Sequence, residues 1–108
     1  MTQVHMAHVR LTKAVLRGAN ISLATMMDAE MAGSDLSHAS LKQSNLNGAN
    51  LSRSDFTAAV LDGAGFVRSR LRDAKLNGVS AKQADLDGAV TDGIKTRGAL
   101  LVDGTVGQ

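Results

Sequence analysis

The sequence predicts an all-β solenoid walled by very short strands, and three regularities predict it. Apolar residues recur at every fifth position. Counting Met1, 19 of the 22 positions from 1, 6 and 11 to 106 carry Leu, Ile, Met, Phe or Val, the exceptions being Ala81, Thr91 and Thr96. The position two residues before each such centre is small, with Ala or Ser at 16 of 21 places. Two residues after the centre stand eight of the 11 glycines, among them Gly18, Gly48 and Gly78, where a bend needs a permissive backbone.

A period of five suits neither standard element. On an α-helix five residues turn the chain by about 500°, so successive centres drift around the cylinder and no single apolar stripe forms. On a flat strand the side-chain period is two, so odd spacing throws successive centres onto opposite faces. Both difficulties vanish if each block is a short extended piece followed by a corner. The small residue and the centre, two apart, then point inward together, and the remaining three residues face outward or make the bend. The outward row just before the centre is polar in many blocks, as at Asn20, Asp35, Asn45, Asn50, Asp55 and Asp85. Asn47-Gly48, Asp62-Gly63 and Asn77-Gly78 are hairpin signals elsewhere. Recurring in phase with the block, they read as corners.

Composition supports this reading. The 108 residues include no Pro, Cys, Trp or Tyr, and only Phe56 and Phe66 supply aromatic rings, too few for a conventional sandwich or bundle core. Without Cys there is no disulfide framework and no thiolate ligand or nucleophile.

Blocks such as ANLSR (49–53), SDFTA (54–58), SDLSH (34–38) and ADLDG (84–88) resemble the pentapeptide-repeat family, whose consensus is Ala-Asp/Asn-Leu-x-x. The resemblance covers essentially the whole chain. It implies a right-handed quadrilateral β-helix with four blocks per coil, about five coils in all, as a single domain over 1–108. The departures lie at the ends. Val4 and Val9 replace Ala, while Thr91, Ile94, Thr96 and Gly104 loosen the last coil. The most regular part is therefore expected over 14–88, with irregular or end-packing coils at 1–13 and 89–108.

Four blocks per coil stack residues twenty apart. The expected core is Leu36, Leu41, Leu46, Leu51, Phe56, Leu61, Phe66, Leu71, Leu76 and Leu86, with the two Phe on opposite walls. Val79 with Ala81 reads as a size swap, large at the small position and small at the centre, that roughly conserves volume.

Chemistry is sparse. His5 and His8 could form half of a metal site, but no Cys, third nearby His or carboxylate completes it, so exposed imidazoles are expected. His38 closes its block and points outward. No Gly-x-Ser-x-Gly elbow, dinucleotide fingerprint or Walker sequence occurs. No catalytic residue, cofactor or metal is expected, and the chain reads as a non-enzyme. The N-terminus shows no signal-peptide pattern and no window is apolar enough for a membrane span, which points to the cytoplasm with leaderless secretion left open.

The walls and the ends remain as candidates. Arg53, Arg70 and Arg72 form the densest cationic spot, a possible dock for an acidic protein. Ala99-Leu100-Leu101-Val102 places apolar residues at outward positions, and with Val90 it suggests a C-terminal edge for a homodimer or end-to-end stacking. The resemblance also implies two further readings: a DNA-mimicking modulator of gyrase-type topoisomerases, and a module of a bacterial secretion-system effector or adaptor. Mimicry would need roughly fifteen acids along a rod this short, at one charge per ~1.7 Å of duplex. The chain has 10 acidic residues against 12 basic ones, and only a local face through Asp62, Asp85 and Asp87 favours the idea. Direct nucleic-acid binding is not expected from a net charge of +2. The reading preferred from the residues is a rigid protein–protein interaction module.

Overall fold

The computed structural model describes residues 6–101, with the backbone alone at Leu100 and Leu101. Its unit is a corner. The amide three residues beyond each centre donates back to that centre's carbonyl, as from Ala14 to Leu11 at 2.9 Å and from Ala49 to Leu46 at 3.0 Å. At every fifth residue from His8 to Gly98 the backbone takes a positive φ, between 56° and 74°. A four-residue turn with positive φ at its third residue is of type II. The glycines sit at this third position because it penalises a Cβ.

Four corners close one coil, and the next coil lies twenty residues on. The Leu11 amide donates to the Glu30 carbonyl at 2.7 Å and Lys13 to Ala32 at 2.9 Å, while Glu30 donates down to Val9 at 2.8 Å. The extended stretch between corners is so short that each wall contributes one parallel bridge per coil. Bridges join Arg10, Glu30, Asn50, Arg70 and Val90 on wall I, and Val15, Asp35, Asp55, Lys75 and Lys95 on wall II. On wall III they join Asn20, Ser40, Val60 and Ser80, and on wall IV Thr25, Asn45, Gly65 and Asp85. Among the described residues only β1 (Ser80–Ala81) and β2 (Leu100–Leu101) pair over two consecutive residues, in parallel. The result is a right-handed quadrilateral β-helix measuring 32 × 23 × 21 Å.

Inside, the centres stack as expected. Leu36, Leu41, Leu46, Leu51, Phe56, Leu61, Phe66, Leu71 and Leu76 are all buried. Leu86 is a correction: it is only partly buried, because burial falls off in the last described coil, where Ala84, Ala89 and Ile94 are also half open. Phe56 and Phe66 lie on opposite walls, but they are not isolated among leucines. Their rings meet across the axis, 6.2 Å apart and at 86°, an edge-to-face pair.

The small inner row tolerates Ser because a carbonyl lies within reach. Ser44 donates to Leu41 at 2.7 Å and Ser69 to Phe66 at 2.9 Å, each the centre of the preceding block. Ser54 reaches the Met31 carbonyl at 3.0 Å. No buried side-chain polar atom among the described residues lacks a partner. An apolar cavity of about 10 Å³ lies beside Ala81, lined also by Leu61, Phe66, Leu71, Leu76, Leu86 and Thr96.

Candidate functional site

Function has to be sought on the walls, and the backbone decides how much of each wall is free. In each block of the middle coils four of the five amides find backbone acceptors: two in the next coil, one in the previous coil and one within the turn. The fifth, just after the centre, has no backbone acceptor, and an exposed amide left unsatisfied favours water over structure. The polar row before the centre supplies what is missing. Asn20 accepts from Ser22, Asp35 from Ser37, Asn45 from Asn47, Asn50 from Ser52, Asp55 from Thr57 and Asp85 from Asp87.

Where the residue after the centre is itself Asn or Asp, it serves the coil above. Asn47 accepts from the Val67 amide at 2.8 Å, Asp62 from Lys82 and Asn77 from Arg97, both at 3.0 Å. Sequence reasoning took these side chains for outward polar residues and missed their structural task. The signal was present in Asn50-Leu51-Ser52, an Asx turn that mimics a glycosylation sequon.

Two carboxylates show the electrostatic consequence. The Asp35 pKa lies below the usual carboxylate value, held there first by the Ser37 hydroxyl at 2.6 Å and then by the Ser37 amide, with Arg17 and His38 nearby, against some desolvation. For Asp62 desolvation pushes the pKa up, but the Ser80 hydroxyl at 2.7 Å, the Lys82 amide and the charges of Lys82 and Lys42 outweigh it, and the net shift is down.

Wall I brings the predicted arginines together. Arg53, Arg70 and Arg72 are all exposed on adjacent coils, and the Arg53 amide donates to the Arg72 carbonyl at 2.8 Å. Arg72 faces Asp92 at 3.4 Å, a solvated pair worth at most about 1 kcal/mol. Arg53 and Arg70 make no ion pair among the described residues. Glu30 on the same wall is held by the Asn50 side-chain amide at 2.8 Å. Val90 lies above Arg70, 43% exposed. Leu100 pairs through its backbone with Ser80, and Val102 lies outside the described residues.

The other candidates do not converge. His8 comes within 3.9 Å of the Asp28 carboxylate, while His5 lies outside the described residues. His38 is exposed at its corner. Among the described residues no three His, Cys, Asp or Glu side chains gather as a metal site, and no helix is long and apolar enough to cross a membrane. The acidic face expected through Asp62, Asp85 and Asp87 is divided. Asp62 is committed to Ser80 and Lys82 on wall III, whereas Asp85 is in the wall IV ladder.

A family model for pentapeptide repeats matches residues 34–73 as eight copies. A pentapeptide repeat protein from Nostoc Pcc 7120 is 35% identical over 79% of this chain and 62% of its own, with a TM-score of 0.52. The chain belongs to the pentapeptide-repeat family. Two further pentapeptide-helix structures resemble it in fold alone. A pentapeptide repeat protein from the Arabidopsis thaliana thylakoid lumen is 22% identical over 88% of this chain and 63% of its own, with a TM-score of 0.70. QnrB1, a plasmid-mediated fluoroquinolone resistance protein, is 16% identical over 92% of this chain and 59% of its own, with a TM-score of 0.67. The chain thus spans about three-fifths of the length of these structures. No curated protein matches it in sequence. Pentapeptide-repeat proteins are generally structural or interaction modules.

Proposed function

We propose that this pentapeptide-repeat protein is a non-enzymatic interaction module, a rigid square column that presents fixed rows of side chains to an acidic protein. The observation that carries the reading is the Arg53, Arg70 and Arg72 cluster on wall I. The interior is packed with aliphatic side chains, so recognition falls to the outside. There two exposed guanidiniums without ion-pair partners stand beside a third on a backbone that cannot rearrange without breaking its ladder. Arginine forks suit carboxylates geometrically. A pull-down from native extract tests it. Arg53→Glu/Arg70→Glu/Arg72→Glu should release the bound protein while its own melting stays cooperative, and retention of the same protein by that variant overturns the reading.

The C-terminal edge is a second proposed contact, for a homodimer or end-to-end stacking through Val90, Leu100 and Val102. It is supported by the exposure of Val90 and the partly open core residues of the last described coil. Leu100→Asp then lowers the solution mass, an outcome that sets this contact against any dimer formed through a wall. The gyrase-directed reading draws on the family resemblance and on the fold likeness to QnrB1, a fluoroquinolone resistance protein. Wall I carries Arg10, Lys13, Arg53, Arg70 and Arg72 against Glu30, Asp73 and Asp92, which is not the charge of duplex DNA. A supercoiling assay with purified gyrase tests it directly. The secretion-adaptor reading has no structural feature in its favour.

A further inference from the structure

Wall II sorts its charges by height. Its bridged column runs Val15, Asp35, Asp55, Lys75, Lys95, and the column one residue beyond the centres runs Arg17, Ser37, Thr57, Asn77, Arg97. Successive rungs are about 4.8 Å apart. Like charge therefore stands on like, Asp35 against Asp55 and Lys75 against Lys95, an arrangement that is unfavourable within one ladder. Neither lysine has an ion-pair partner among the described residues, and both are exposed. Each aspartate uses Oδ1 for its own turn, accepting from Ser37 or Thr57, which leaves Oδ2 for an outside donor. Among the described residues no other wall has two acids followed by two bases in its bridged column.

We propose that wall II docks a second copy of this chain, face to face and antiparallel. Place a two-fold axis in the plane between two such walls, perpendicular to the solenoid and level with the midpoint of Asp55 and Lys75. Asp35 then faces the second copy's Lys95, and Asp55 faces its Lys75. By symmetry the lysines of the first copy meet the aspartates of the second. The flanking column meets itself with Ser37 opposite Arg97 and Thr57 opposite Asn77. Equal rung spacing puts all these pairs in register at once, as an isologous contact requires. The alternative two-fold, parallel to the solenoid axis, sets Asp35 on Asp35 and Lys95 on Lys95. Charge order thus selects the antiparallel form. The surface is polar, so the contact weakens as salt screens it.

Light scattering of the intact chain at rising concentration, in low and high salt, tests the proposal. At low salt the mass should double from 11.2 kDa and return to the monomer value at high salt. Lys75→Glu/Lys95→Glu should stay monomeric. Asp35→Asn/Asp55→Asn keeps the turn acceptors and should self-associate less, and mixing the two variants should restore a dimer. The chain has no cysteine, so Thr57→Cys mixed with Asn77→Cys should form the mixed disulfide in preference to either symmetric one. A monomer at the highest attainable concentration, a dimer indifferent to Lys75→Glu/Lys95→Glu, or a dimer abolished by Leu100→Asp alone would each overturn it. None of these outcomes bears on the acidic partner proposed for wall I.

Discussion

Val79 and Ala81 offer the sharpest test of how this core is packed. The repeat places Ala at the small inner position and Leu at the centre, five side-chain carbons in all. Val79 with Ala81 provides four. The shortfall of one carbon agrees with a cavity of about 10 Å³ beside Ala81, about the smallest that could hold one water. Restoring the usual order with Val79→Ala/Ala81→Leu adds one net methylene and should stabilise the fold by about 0.8 kcal/mol. The single changes should behave quite differently. Val79→Ala removes two buried methyl groups and should cost about 2 kcal/mol. Ala81→Leu forces three carbons into room for about one and should cost about 1–3 kcal/mol through overpacking. The singles together cost about 3–5 kcal/mol whereas the double gains, so the two differ in sign and the coupling energy is about 4–6 kcal/mol. Urea melts of the four proteins give the cycle, provided the slope m is unchanged. If the singles add to within about 0.5 kcal/mol, the two side chains do not share one space and the volume argument is wrong.

Four further outcomes follow from the same geometry. Leu51→Lys puts a charge with no partner at a fully buried centre in the middle coil, so it should abolish cooperative melting. Ala58→Gly relieves a non-glycine residue held at φ 60° on the exposed corner, and should raise stability by about 0.5–1 kcal/mol in urea melts. Gly65→Ala places a Cβ 2.8 Å from Asn47 Oδ1, the atom that accepts from Val67. It should cost about 1 kcal/mol, and the cost should disappear in an Asn47→Ala background. Because the Asp35 pKa is depressed below 3.8, its stabilising effect is complete above that value and is lost as pH falls through the folded-state pKa. Melts between pH 5 and about pH 2 should show a shallower acid loss in Asp35→Asn than in the parent.

What the sequence made legible is what five-residue periodicity can encode. Burial of Leu46 or Phe56 follows from register alone, and so does the corner at Gly48 or Gly78. Two things resisted that reading. The contact between Phe56 and Phe66 depends on the width of the column, which the repeat does not state. The turn role of Asp35 or Asn50 depends on which amide is left over after the ladder is complete, and that emerges only once the inter-coil bonds are assigned. Leu86 shows the limit at the ends: its register is right, but burial needs a covered coil as well as an inward direction.

The same constraints explain why the partner is harder to read than the fold. Of the five positions in a block, two are enclosed and a third is fixed at positive φ. A fourth often serves an amide, as Asp55 does for Thr57, while the fifth sometimes serves the next coil, as Asn77 does for Arg97. A polar side chain on this protein is therefore first a structural acceptor. Recognition can be written only where that duty lapses, and Arg53, Arg70, Lys75 and Lys95 are such places: they have no acceptor atom to offer the backbone, and they accumulate on walls I and II. Cations on these walls cannot be accounted for by the turn chemistry that explains Asn and Asp. Replacing Asn50 should accordingly change stability before binding, and replacing Arg70 should change binding while leaving the melt unmoved.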